Sequence, residues 1–212
     1  MTVGGTPVAR TARTRARDGI GRSFQTVIVA EHKSVRENLM VGMDTQRRAS
    51  HVSYALRLPP ACREARAHEQ LINRWAQALG LSGRLNVDAS ALTPRERRLL
   101  ELGRALLTRP RLLLLDEPVA GLTGVEIDEL VGIIRAVKAA GPSVILVEHH
   151  AELVMSLCDT VTVLDAGEVI AIGDPATVSN DPKVIAAYLG DELTEAGDAL
   201  VDTSELLDRD VP

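Results

Sequence analysis

A chain of 212 residues can bury one hydrophobic core with a lobe inserted into it, and a hydrophobic content of 45% is that of a folded globular protein. Its net charge of -5 gives no electrostatic reason to expect nucleic acid as a partner. Cys62 and Cys158 match no metal or disulfide spacing, and no apolar run reaches the ~18 residues of a membrane span. We therefore expect reduced cysteines, a cytoplasmic location and a membrane connection only through a partner.

The first half of the chain has a helical pattern after an irregular start. Residues 1–18 are rich in Gly, Thr and Arg, and we expect a loose arm there. Ser34 to Glu37 form a capping box that opens a helix, and a second helix is predicted from Glu64 to Leu79, ended by Gly80. These helices belong to a helical lobe over about 34–90.

The second half alternates short aliphatic runs with a helical stretch. Strands are predicted at Arg111–Leu115, Ser143–Val147 and Thr160–Leu164, with a helix at Glu126–Ala139 between the first two. This succession predicts an α/β fold with a parallel sheet covered on both faces. Residues 191–212 hold eight acids against one arginine and are predicted to be a solvated tail.

Two adjacent acids follow the first of these strands. Asp116 and Glu117 come after four leucines and before Pro118. Ligands of open α/β sheets bind at the carboxyl ends of strands, where an aspartate can hold Mg2+ on a nucleotide and a second carboxylate can polarise a water molecule. The alternative is a buried strand that ends in a solvated acidic turn.

A histidine pair follows the next strand. Val144 to Val147 lead into Glu148, His149 and His150. A single histidine is more often a surface or core group than a catalytic one. Because this strand is predicted to end on the same sheet edge as Asp116 and Glu117, His149 is a candidate γ-phosphate ligand.

Together these segments resemble the ATP-binding subunits of ABC transporters, in the branched-chain amino acid subfamily, over about residues 19–190. The resemblance implies a RecA-like P-loop NTPase core, mostly parallel, with the inserted lobe, but without its first strands and P-loop. Five segments carry it, in family order: Gly19–Gln25 as the Q-loop, Leu112–Pro118 as the Walker B strand, Ala120–Thr123 as the D-loop, His149 as the switch histidine, and Val163–Ile170 with Pro182–Gly190 as the closing hairpin and final helix.

The resemblance also implies roles and partners. Asp116 and Gln25 would serve the metal, and Glu117 would be the catalytic base. The cofactors would be ATP and Mg2+. Two ATPase subunits, alike or different, would act on membrane permease subunits at the inner face of the cell membrane, and indirectly on a periplasmic or extracellular solute-binding protein. Branched-chain or related amino acids are the implied substrates, with urea, short amides and other amino acids left open.

The signature and D-loop segments depart from the family pattern. Leu92 to Glu96 stand where the family has Leu-Ser-x-Gly-Glu/Gln, so Thr93 keeps the hydroxyl while Arg95 replaces a glycine that lets phosphate approach. Simple helix capping by Thr93, Pro94 and Glu96 is the alternative to a phosphate contact. Thr123 stands where the subfamily commonly has asparagine. Arg95, Arg97 and Arg98 are predicted to form a solvated helix face.

The phosphate-binding loop is the largest departure. Such a loop needs Gly-x-x-x-x-Gly-Lys, because its backbone amides and lysine hold the phosphates, yet none of the lysines Lys33, Lys138 and Lys183 follows a glycine. Two explanations stay open: a start that lies roughly 70 residues upstream on the family pattern, or a degenerate chain. The rival functions are a non-hydrolysing interaction protein that acts through a complete partner, and a fragment with no stable fold.

Overall fold

The computed structural model describes residues 2–3, 6–7, 12–23, 28–44, 51–56 and 58–187. They divide into two compact units, Met1–Glu148 and His149–Pro212. None of the described helices combines the length and apolarity needed to cross a membrane. The acidic tail and the end of the predicted final helix lie outside the described residues, although residues 182–187 are helical.

The first unit contains a three-stranded parallel sheet in the order β3-β4-β5. Its strands are β3 (Ile20–Arg22), β4 (Leu112–Asp116) and β5 (Ser143–Val147), and α6 (Gly124–Ala139) connects the last two. Two elements precede the sheet, a short hairpin of β1 (Thr2–Val3) and β2 (Thr6–Pro7) and the helix α1 (Ala12–Arg17). The predicted α/β fold is confirmed, and within the stretch 1–18, where a loose arm is predicted, residues Ala12–Arg17 are helical.

The helical lobe lies between β3 and β4. It holds α2 (Val35–Met43), α3 (His51–Ala55) and α4 (Pro59–Ala78), and α5 (Pro94–Leu107) leads back to the sheet. The capping box of α2 is present as predicted, since Ser34 Oγ accepts from Glu37 N at 3.2 Å. The prediction for α4 began five residues late, because two prolines occupy its first turn, where no intrahelical N–H is required.

A buried amide joins the lobe to the segment that follows β3. Asn38, 1% exposed, accepts from Ala30 N at 2.8 Å and donates to the carbonyls of Ala30, Lys33 and Ser34. Residues 31–34 then bond to residues 88–90, just before α5. The lobe is thereby fixed to the start of α5 through main-chain contacts.

One face of the parallel sheet is closed and the other is open. Leu113 and Leu115 on the closed face are 0% and 2% exposed, and Leu115 lies near Leu102 of α5 and Leu130 and Ile134 of α6. On the other face Ile145 and Val147 are 49% and 56% exposed, and among the described strands none pairs with the outer edge of β5. The expectation of a sheet covered on both faces is therefore wrong for β5.

The second unit holds α7 (Ala151–Leu157), the antiparallel pair β6 (Val161–Asp165) and β7 (Glu168–Gly173), and α8 (Pro175–Ser179). The resemblance predicted this closing hairpin. The aliphatic pattern also predicted a buried strand at Thr160–Leu164, but only Val161 of β6 is buried, because β6 pairs with β7 in a separate two-stranded sheet.

We predict that replacing Gly42 in α2 by alanine lowers the free energy of unfolding by about 1–3 kcal/mol, because the new Cβ would lie 2.4 Å from the Arg104 carbonyl oxygen of α5. Gly132→Ala in α6 is the matched control, since a Cβ there meets nothing within 4 Å, and it should stabilise by about 0.5–1 kcal/mol. Urea unfolding measures both variants. Equal effects of the two substitutions would contradict close packing of α2 on α5.

Candidate active site

The turn after β4 has an unusual backbone conformation. Asp116 is the last residue of the strand, and Glu117 has φ +44°, a left-handed value that is uncommon for a residue with a side chain. The Glu117 N–H donates to the Val147 carbonyl of β5 at 2.9 Å. Such conformations persist when surrounding contacts hold them, and they cluster at functional sites.

Asp116 lies on the open face of the sheet. It pairs in register with Val147, and its carboxylate is 35% exposed. Arg22 of β3 reaches it from the neighbouring strand, with 3.5 Å between Nη2 and Oδ2, and Ser23 Oγ accepts from the Asp116 N–H at 3.4 Å. An exposed ion pair of this length contributes only ~0–1 kcal/mol, so the Asp116 carboxylate is available to a cation.

The loop from Glu117 to Thr123 is held from α5 and β5. Arg98 donates through Nη1 to the Glu117 carbonyl at 3.0 Å and through Nη2 to the Ala120 carbonyl at 3.2 Å. Val119 N donates to Glu148 Oε1 at 3.1 Å. The main chain beside the two acids is thus bonded on several sides.

The prediction of a solvated arginine face on α5 is wrong. Arg97 donates to the carbonyls of Leu92 and Ser90 at 3.2 and 2.7 Å and to Glu31, while Arg95 pairs with Glu129 and lies 3.9 Å from Glu126. With Arg98, all three are half-buried. Charge pattern alone missed this because most of their acceptors are backbone carbonyls or acids far along the chain.

Thr93 caps α5. Its Oγ1 accepts from Glu96 N at 3.2 Å, and its own N–H donates to Glu96 Oε2 at 2.9 Å. Arg84 also donates to Glu96, at 2.9 Å. The capping alternative for this segment is therefore present in the structure, and a phosphate contact by Thr93 or Arg95 stays a prediction.

Thr123 occupies the equivalent position before α6. Its N–H and hydroxyl both donate to Glu126 Oε2 at 2.9 Å. Because Glu126 also lies near Arg95, the starts of α5 and α6 share one carboxylate. Two of the predicted nucleotide-contacting residues, Arg95 and Thr123, are thus neighbours of the same group.

The two remaining predicted site residues are Gln25 and His149. Gln25 lies outside the described residues. His149 belongs to the second unit, where it is exposed with its ring centroid 4.4 Å from that of His150, just before α7. The roles assigned to Gln25 and His149 stay predictions.

The donor set fits one half of a nucleotide site. An accessible carboxylate at a strand end is the ligand type that Mg2+ prefers, and an adjacent carboxylate can accept a proton from water. The glycine-rich loop and lysine that hold phosphates do not occur in the sequence. The strand end therefore carries carboxylates of a chemical type that fits Mg2+ and proton transfer, and the sequence holds no glycine-rich phosphate loop beside them.

A parallel strand that ends in two acids beside a second parallel strand is typical of α/β ligand-binding proteins, a class that includes the nucleotide-hydrolysing ones. The model of the ABC transporter family matches residues 1–120, and that of the branched-chain amino acid ATP-binding cassette transporter matches residues 168–194. The chain belongs to the ABC transporter ATP-binding subunits.

Similar proteins agree with this assignment. The branched-chain amino acid transport ATP-binding proteins BraF of Pseudomonas aeruginosa and LivG of Escherichia coli K12 are 34% and 36% identical, over 83% of this chain and 69% of each relative. The lipopolysaccharide export protein LptB of Acidithiobacillus ferridurans is 32% identical, over 84% of the chain and 68% of LptB. The ATP-binding cassette MJ1267 in its ADP conformation superposes with a TM-score of 0.67 at 27% identity, covering 85% of this chain and 72% of MJ1267.

The caps of α5 and α6 predict a pH dependence of stability. Burial opposes ionisation of Glu96, but the Thr93 N–H and the Arg84 guanidinium outweigh it and lower the pKa of Glu96 below its ordinary 4.5. The Thr123 N–H and hydroxyl likewise lower the pKa of Glu126. A carboxylate with a lowered folded pKa stabilises above pH ~4.5, and that stabilisation is lost as pH falls through the folded pKa.

We therefore expect the double variant Glu96→Gln, Glu126→Gln to show a shallower loss of unfolding free energy below pH ~4.5 than the wild type. Urea unfolding between pH 3 and 7 measures this slope. Glu168→Gln, at an exposed position that begins β7, is the control and should leave the slope as it is. If the double variant loses unfolding free energy with the same slope as the wild type, the two caps are not the source of the pH dependence.

Proposed function

We propose that the chain is the ATP-hydrolysing subunit of an importer for branched-chain or related amino acids, and that its phosphate cradle has to be supplied by polypeptide other than these 212 residues. The names of BraF and LivG and the family match at residues 168–194 support the substrate class. LptB is nearly as similar, so overall identity alone does not separate the substrates.

The observation that carries the proposal is the pair of acids at the end of β4. Asp116 would hold Mg2+ of a bound nucleotide, and Glu117 would accept the proton of the attacking water at its carboxylate. Bound Mg2+ supplies charge stabilisation for phosphoryl transfer. Gln25 would add a metal contact, and His149, Thr93, Arg95 and Thr123 would contact nucleotide, as the family pattern implies.

The described surface of the lobe supports a membrane-embedded partner. Six large hydrophobic side chains in this part of the chain are 40–65% exposed. They are Ile28, Met40, Val41, Val52, Leu56 and Leu58. Contiguous exposed apolar patches mark interaction surfaces, and these six side chains all lie between residues 28 and 58 of the sequence. We propose that this surface contacts permease subunits, that a second ATPase subunit completes the pair, and that the assembly lies on the inner face of the membrane and receives substrate indirectly from a solute-binding protein.

A second candidate is a non-hydrolysing subunit that acts through a complete partner. The ion pairs of Arg95 with Glu126 and Glu129 favour this second candidate. Arg95 replaces the family glycine, and these ion pairs direct its side chain towards α6. ATP turnover in the complete transporter distinguishes the two candidates.

The first functional prediction is that the purified 212-residue chain does not hydrolyse ATP. Positioning and charge stabilisation of the phosphates supply most of the rate, and loss of a cationic clamp alone costs factors of ~10^3 or more. Phosphate release and nucleotide binding are measured beside a Glu117→Gln background control. Turnover that disappears in the control would show that other residues replace the cradle, with the arginines between Arg10 and Arg22 as the first candidates.

The second functional prediction concerns the permease contact. Glu37 lies in this region, but its carboxylate completes the cap of α2, so a cysteine is better placed at Val41, which is 50% exposed. In a background with Cys62→Ser and Cys158→Ser, Val41→Cys should crosslink to a membrane subunit, and the exposed Ala139→Cys of α6 should not. Equal crosslinking at both positions would count against a specific lobe contact.

A further inference from the structure

We propose that Arg98 is a positioning residue for Glu117, fixing its main chain so that its side chain is presented at the sheet edge. The assignment of Glu117 as catalytic base rests on the proposed function. The placement of its main chain by Arg98 rests on contacts in the structure alone. Arg98 was predicted only to be part of a solvated helix face.

The two hydrogen bonds of Arg98 span the turn. Its terminal nitrogens donate separately to the carbonyls of Glu117 and Ala120, at 3.0 and 3.2 Å. A planar guanidinium offers parallel donors in a fixed geometry, whereas a lysine ammonium is a single point charge on a flexible stem. Hydrogen bonds from charged donors are also the stronger ones. Arginine is therefore suited to hold both carbonyls in one orientation.

The conformation of Glu117 requires such a restraint. A residue with a side chain at φ +44° is held in a sparsely populated region, at a cost of roughly 1–3 kcal/mol. Its N–H is bonded to the Val147 carbonyl and its own carbonyl to Arg98, so the peptide groups on both sides are fixed. Without Arg98, the Glu117 carbonyl would lose this partner, and the left-handed conformation of Glu117 would be held on one side only, by the bond of its N–H to Val147.

The part of α5 that carries Arg98 is held in place by a cap and by the core. Thr93 and Glu96 cap the first turn of α5, and the next turn buries Leu99, Leu100 and Leu102 to 4% exposure or less. Arg98 stands between the cap and this buried face, and its guanidinium bonds are part-buried. The guanidinium of Arg98 therefore reaches the loop from a fixed helix. Arg97, one residue earlier, is a matched control because its backbone acceptors are Ser90 and Leu92 and not residues of the loop.

The first test is amide hydrogen exchange by NMR in the purified chain. In Arg98→Met we expect the Glu117 and Val119 amides to exchange at least about tenfold faster, relative to the buried Leu113 and Leu115, because a charged hydrogen bond is lost at the turn. Arg97→Met should leave that ratio as in the wild type, and Arg98→Lys should fail to restore it. An unchanged ratio in Arg98→Met, or equal acceleration of Leu113 and Leu115, would overturn the proposal.

The second test measures ATP turnover in the assembled transporter. If Arg98 positions the base, Arg98→Met lowers kcat by about tenfold or more and leaves KM for ATP within about twofold, since ground-state binding is not altered. Faster exchange with unchanged kcat would overturn a positioning role. An assembled wild type without any turnover would refute the proposed function instead, and the exchange ratio would still decide whether Arg98 fixes the Glu117 main chain.

Discussion

Strand β4 is bonded along both edges, and most other features of the first unit depend on this constraint. A strand with parallel neighbours on both sides has no polar group left for solvent, so its four leucines can enter the core and the first acids come at its carboxyl end. Leu113 and Leu115 point to the closed face, where α5 and α6 cover them. Asp116 points to the open face. The same register that buries the leucines therefore brings one carboxylate to an accessible edge.

The loop after β4 is then a junction between two helices. Arg98 of α5 bonds to its carbonyls, while Glu126 at the start of α6 bonds to Thr123 and lies close to Arg95. A displacement of the first turn of α5 would move Arg95 and Arg98 together. These contacts physically connect the segment at the start of α5 with the loop that follows the two acids at the end of β4.

Local signals in the sequence predicted where several helices and strands lie. Strand pairing and side-chain contacts depend on residues far apart in the chain, and these signals did not predict them. The capping box at Ser34 and the strand Ser143–Val147 were predictable because caps and short aliphatic runs are encoded within a few residues. The partner of β6 followed from the family resemblance and not from the aliphatic pattern, because the same pattern serves a parallel strand or a hairpin. Arg98 was missed for a similar reason: its acceptors are carbonyl groups, which every residue carries and which no composition reveals.

The open edge of β5 has a consequence for the life of the chain in a cell. Among the described strands none pairs with this edge, so its N–H and C=O groups, beside the exposed Ile145 and Val147, offer a template for another extended segment. Newly made copies with that strip uncovered would be drawn into chaperone binding, proteolysis or insoluble aggregates. Covering this strip would therefore protect the polypeptide from these fates.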